Sequence, residues 1–156
     1  MKTLQNWLDE YGESHQNPTN KAVHWICVPA IFFSVVGLIW SIPFPFHWAV
    51  LGLHLNWAFI ALGLVFLYYL SLSLSLSIGL FLFGALCLEG NRYLDNLDFM
   101  PLWAISLIIF SVAWIGQFWG HKIEGKKPSF FKDIQFLMIG PAWLMHFIYK
   151  KIGIPY

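Results

Sequence analysis

Apolar residues run along this chain in long blocks, separated by short polar clusters, and each block predicts a helix. Over residues 3–14, Leu4, Trp7, Leu8 and Tyr11 stand at i, i+3, i+4 and i+7, one apolar stripe on a short amphipathic helix. Asp9, Glu10 and Glu13 take its other faces, and Thr3 is placed to cap it. Such a helix lies along a membrane interface or packs its stripe on the rest of the protein. Gly12 and Asn17-Pro18 end it. Ala22–Ile42 then predicts a first span, about 31 Å long at about 1.5 Å per residue, with Thr19 as its cap and a kink at Pro29.

Pro43-Phe44-Pro45-Phe46 predicts a tight turn between the interface aromatics Trp40 and Trp48, and residues 48–69 a second span. Residues 70–77 alternate Leu and Ser. An open strand in lipid leaves backbone groups unpaired, so a short turn between helices is expected there. A third span is expected over 78–93 and a fourth over 101–121, opened by Pro101. Residues 134–149 are apolar again but short and interrupted by Gly140-Pro141, so an interfacial or re-entrant helix is expected. The whole, 1–156, reads as one all-α integral membrane bundle.

Composition agrees. Apolar residues are 58% of the chain and charged residues 11%, against about a quarter charged in soluble domains. No Asp, Glu, Lys or Arg occurs from Ala22 to Leu88, nor from Phe99 to His121. The first apolar run is too long for a signal peptide and lacks a small-residue cleavage site. A net charge of +1 provides no broad basic face for nucleic acid. Cys27 and Cys87 lie inside apolar runs without a CxxC partner and read as buried thiols.

Charge also orients the chain. With four spans, one side holds Lys2, Lys21, Lys122, Lys126, Lys127 and Lys132, and the other only Arg92. The positive-inside rule makes the first side, with both termini, cytoplasmic. His15, His24, His121 and Glu124 then share that membrane face.

Gln117, His121 and Glu124 are spaced i, i+4, i+7, and Asn20 and His24 i, i+4, so each group puts an amide on the face of a histidine. Metal-bound imidazoles are commonly oriented by such outer partners, here Asn17, Asn20 and Gln117. Histidines with a carboxylate and open positions suit non-haem Fe(II), and also zinc. The competing reading makes each histidine a polar anchor at the interface. The spacing matches neither HExxH nor HxxHH boxes. His47 and His54 read as interhelical polar residues, with a two-histidine haem site as the alternative. His146 lies in the last segment, where no spacing ties it to the others.

Two motifs carry a resemblance: Tyr11-Gly12-x-x-His15-x-Asn17-x-x-Asn20-x-x-x-His24-x-x-x-x-Pro29 and Gln117-Phe118-x-Gly120-His121-x-x-Glu124-x-x-x-Pro128. In their order, their separation and the hydropathy around them, the chain resembles the membrane 2-hydroxy fatty acid dioxygenases over nearly its whole length. The resemblance implies Fe(II)-dependent α-oxidation, in which a 2-hydroxy fatty acid and O2 yield an acid one carbon shorter. It carries catalytic and iron-binding roles onto His15, His24 and His121, and a further ligand role onto Glu124. His47, His54 and His146 fall outside both motifs. The last segment departs from the family pattern, which has a carboxylate near Phe147.

The chemistry suits these residues. A 2-hydroxy acid chelates iron through carboxylate and hydroxyl oxygens, and three or four protein ligands leave room for O2. Lys122 or Lys126 attracts the substrate carboxylate, and the acyl chain stays between spans, in membrane lipid or an apolar groove. The rival readings are a metal-dependent lipid hydrolase or hydroxylase at the same site, and a non-enzymatic membrane scaffold. A bacterial inner membrane is favoured over endoplasmic reticulum, since no long tail or retrieval signal is present. The sequence carries no sign of oligomeric state.

Overall fold

A computed structural model describes residues 3–46, 49–50, 53–125 and 130–156. Six helices and one small hairpin make up the described chain: α1 (Leu4–Gly12), α2 (Pro18–Trp40), β1 (Ala49–Val50), β2 (Leu53–His54), α3 (Trp57–Leu72), α4 (Leu74–Asn96), α5 (Leu102–Glu124) and α6 (Phe130–Ile152). Among the described residues α2, α4 and α5, 23 residues each, are long and apolar enough to cross a membrane. At about 1.5 Å per residue each reaches about 34 Å, slightly more than the hydrocarbon core of about 30 Å.

Helix α1 starts where expected, with Thr3 Oγ1 accepting the Asn6 N–H at 3.3 Å. Its apolar stripe packs inward. Leu8 and Tyr11 join Val28, Phe136, Ile139, Trp143 and Leu144 in one buried cluster. Packing on the protein, rather than on lipid, is what that stripe serves.

The expected cap of the first span is corrected from Thr19 to Asn17. Asn17 Oδ1 accepts the N–H groups of Thr19, at 2.8 Å, and Asn20, and Pro18 takes the first helical position. Proline there loses no hydrogen bond, and its fixed φ suits the helix start. The span therefore runs 18–40 rather than 22–42. The segment expected to form the second span becomes helical late. Antiparallel pairing of Ala49 with His54 and Val50 with Leu53 makes a hairpin, and α3 starts only after Asn56 caps it. At 16 residues, α3 is about 24 Å long and falls short of the full core.

The turn expected over 70–77 shrinks to Ser73. Its N–H donates to the Tyr69 carbonyl, closing α3, while its hydroxyl accepts the Leu76 N–H, opening α4. Ser71 and Ser77 lie within the helices, their hydroxyls satisfied by bonds back to the Tyr68 carbonyl at 2.6 Å and the Leu74 carbonyl at 2.7 Å. Helix α4 accordingly covers 74–96 rather than 78–93, and α5 covers 102–124 rather than 101–121.

Helix α6 covers 130–152 rather than 134–149 and runs through Gly140-Pro141 without interruption. Pro141 has no N–H for the Leu137 carbonyl. One position on, the Met138 carbonyl accepts the Tyr69 hydroxyl at 2.6 Å, tying α6 to α3. Tyr149 ties it to α4, donating to the Ser75 carbonyl at 2.9 Å and accepting from the Gly79 N–H at 3.1 Å.

Helices α2 and α5 make the closest pair in the bundle. A Cβ on Gly120 would collide with Asn20 Oδ1, and one on Gly116 with Cys27 Sγ. Glycines four apart give α5 a smooth face that receives the Asn20, Val23 and Cys27 side chains of α2, the small-residue packing typical of membrane helices. The two helices that bring His24 and His121 to the site are thereby held at close range.

Candidate metal centre

His15, His24 and His121 converge although they come from three different segments. One ring nitrogen from each lies within 4.8 Å of the others. Ring centroids are 4.2 Å apart for His15–His24, 4.8 Å for His24–His121 and 5.3 Å for His15–His121. His15 and His24 are fully buried, at 1% and 0% exposure, and His121 is half-buried.

Hydrogen bonding sets the tautomers of two rings. His15 Nδ1 lies 2.6 Å from the Tyr11 carbonyl and His24 Nδ1 2.9 Å from the Asn20 carbonyl. A carbonyl only accepts, so each Nδ1 carries the proton and each Nε2 keeps its lone pair. Both Nε2 atoms are buried without a protein partner, and so is His121 Nδ1. Burial, then repulsion from His24, drives the His15 pKa down to about 3, so this ring is neutral at neutral pH.

Three buried ring nitrogens without partners, packed together, are costly in a protein that binds nothing there. They fit a metal ion, and imidazole suits iron and zinc alike. A cavity of about 30 Å³ adjoins them, walled by Tyr11, His15, Trp114, Gln117 and His121 on its polar side. That volume holds an ion with a small ligand. Tyr11 lies parallel to the His15 ring, centroids 4.2 Å apart, and fixes its tilt.

Glu124 stands beside this trio rather than within it. Its Oε1 accepts the Gln16 N–H at 2.8 Å, and its Oε2 accepts the Asn17 N–H at 2.8 Å and Asn20 Nδ2 at 3.1 Å. It clamps the chain on either side of the α1–α2 joint. The amides also differ in detail from expectation. Asn20 orients His24 through its backbone carbonyl, while its side chain binds the Ser14 carbonyl, at 3.0 Å, and Glu124. Gln117 is buried at the wall of the cavity, beside His15 and His121. Asn17 acts through its cap and its N–H.

The remaining expected residues fall elsewhere. Lys122 is exposed at the end of α5. Lys126 and His47 lie outside the described residues, as does the side chain of His54. His146 bonds the Tyr156 hydroxyl and faces a surface cavity of about 260 Å³ that His15 and Lys21 also line. Tyr11, Trp114 and the Gly116/Gly120 pair escaped the sequence reading as site residues. The small-xxx-small pattern at 116–120 was the available signal for the last. Nothing marked Trp114, whose buried Nε1–H has no partner at the cavity wall.

No curated protein and no solved structure matches the chain significantly. One family model matches residues 1–152, so the chain belongs to the family described as 2-hydroxy-palmitic acid dioxygenase Mpo1-like.

Proposed function

We propose that the chain is an Fe(II)-dependent dioxygenase that shortens 2-hydroxy fatty acids by one carbon at a membrane surface. The observation that carries this is the convergence of three buried, unpartnered imidazole nitrogens in a chain of this family. His15, His24 and His121 would hold the iron, with Glu124 as the clamp that keeps the His15 segment in place rather than the further ligand the resemblance implies. Bound iron supplies open positions for the substrate's carboxylate and hydroxyl oxygens, and activation of O2.

The protein's own residues do the rest. The Tyr11 and Asn20 carbonyls keep the protons on Nδ1, so the His15 and His24 lone pairs point inward. The Trp114 indole N–H and the Gln117 side chain stand at the cavity wall as donors for substrate oxygens. Lys122 and Lys126 draw the carboxylate toward the surface. The reaction balances with O2 as sole oxidant: 2-hydroxy acid and O2 give the shortened acid, CO2 and water. With four spans, the lysine asymmetry supports cytoplasmic termini and a site on the cytoplasmic membrane face.

Purified protein supplied with Fe(II), O2 and 2-hydroxypalmitate is expected to release pentadecanoate and consume O2. His15→Ala, His24→Ala and His121→Ala are each expected to lose bound metal. O2 consumption without pentadecanoate would refute the substrate assignment, and unchanged metal content in all three variants would refute the centre.

A further inference from the structure

The 30 Å³ cavity at the histidines is too small for a fatty acid, so the acyl chain must lie elsewhere. Three cavities adjoin in a row. Leu137 walls both the metal cavity and a second one of about 80 Å³. Phe32, Leu62 and Val65 wall both that second cavity and a third, of about 350 Å³, between α3 and α4. The third falls in the size range of ligand pockets, about 300–1,000 Å³.

One face of α2 floors the first two cavities. Val28 and Ile31 line the first, and Phe32, Val35, Val36 and Ile39 the second. With His24 these positions follow helical spacing, a single stripe headed by a site histidine. From His24 to Ile39 the rise is about 22 Å at about 1.5 Å per residue, more than one leaflet's half of the core of about 30 Å. Over that length the walls are almost wholly apolar. Gly63 and Gly84 line the cleft between α3 and α4 and present no side chain to it.

Resting on the reaction proposed above, we infer that this row of cavities is the acyl-chain site for a long-chain 2-hydroxy acid. Leu137 is its inner gate, and the α3–α4 cleft receives the methyl end. The carboxylate and hydroxyl stay at the histidines while the chain descends along α2. Length is read at the far end, where Gly63 and its neighbours set the space.

Gly63 offers a test that leaves the fold intact, because a Cβ there meets nothing within 4 Å. Gly63→Phe is expected to cut turnover of 2-hydroxypalmitate relative to 2-hydroxydecanoate by at least about tenfold, the scale on which apolar pockets discriminate methylenes. Ala61→Phe, nearer the gate, is expected to shift the preference to still shorter acids, with metal content unchanged. Wild-type chain-length ratios in both variants overturn the track. Binding is read separately with 2-hydroxypalmitate carrying a diazirine at its methyl end. The expected labels fall on Leu62, Phe66 or Leu88 and fade in Gly63→Phe. Labels confined to the outward-facing Leu64, Leu67 and Leu82 overturn the track even if the enzyme is active. Labels in the cleft without turnover of any 2-hydroxy acid uphold the track and sink the reaction instead.

Discussion

Glu124, at the end of α5, accepts the backbone N–H of Asn17, at the start of α2, across 2.8 Å. The same carboxylate holds Gln16 and Asn20, so the segment that carries His15 is pinned to the helix that carries His121. Charged acceptors of this kind outrank neutral ones. Glu124→Ala is expected to weaken metal binding by about 10- to 100-fold, as loss of an outer-shell partner typically does. Glu124→Gln keeps one acceptor oxygen and should fall between. Metal titrations of the two variants check the order; equal affinity in both and in wild type counts against the clamp.

Close approach of α2 and α5 depends on Gly120. Gly120→Val puts carbon into the space of Asn20 Oδ1, and overpacking of this kind costs about 1–3 kcal/mol. The expected result is a lower Tm together with reduced metal content, because spreading the helices separates His24 from His121. Gly63→Val, at a site with open space, is the control and should leave metal content unchanged.

Removing the metal should lower stability. A ligand that binds the folded state at 100 times its Kd stabilises by about 2.7 kcal/mol. Chelation of the loaded protein is therefore expected to lower its Tm in detergent, and Fe(II) to restore it. In His24→Ala the chelator should have no effect, since the centre is already broken.

Tyr69 joins α3 to α6 through its bond to the Met138 carbonyl. Tyr69→Phe removes that donor while keeping the ring, at a cost of about 1 kcal/mol. The expected phenotype is faster hydrogen exchange in α6 around Met138 with the metal content of wild type. Unaltered exchange there would show that α6 is held by apolar packing alone.

Asn91 makes a polar knot inside the bundle, with Nδ2 donating to the Phe33 carbonyl at 3.1 Å and the Cys87 carbonyl at 2.8 Å. Gly37 leaves room for it: a Cβ there would strike Asn91 Oδ1 and Ser106 Oγ. Gly37→Ala is expected to lower the Tm through crowding, and Asn91→Ala in the same background to recover part of the loss. Losses that simply add, the double variant falling by the sum of the two single changes, would exclude crowding against Asn91.

Long charge-free runs and helical spacing were enough to announce a helical membrane protein, and the spacing of His15, His24, His121 and Glu124 to nominate a metal site, while the resemblance to a family supplied the iron and the substrate. Those properties are local, because lipid forces backbone bonds to close within each segment. Helix ends were less legible. Asn17 rather than Thr19 caps α2, and Ser73 alone divides α3 from α4, since both outcomes turn on single side chains competing for backbone groups. Whether α1 faces lipid or protein, and that α6 runs through Pro141, depended on contacts with distant partners such as Phe136 and Tyr69.

The sequence by itself determined the helical, apolar class of the protein and, through its two motifs, singled out the three histidines as candidates, because hydropathy and motif spacing are written along the chain. Only the tertiary structure decided that their free nitrogens meet, that Glu124 clamps the loop beside them, and that Trp114 and Leu137 border the cavity. Those relations join residues about a hundred positions apart, and close packing of α2 on Gly116 and Gly120 sets them rather than any local pattern.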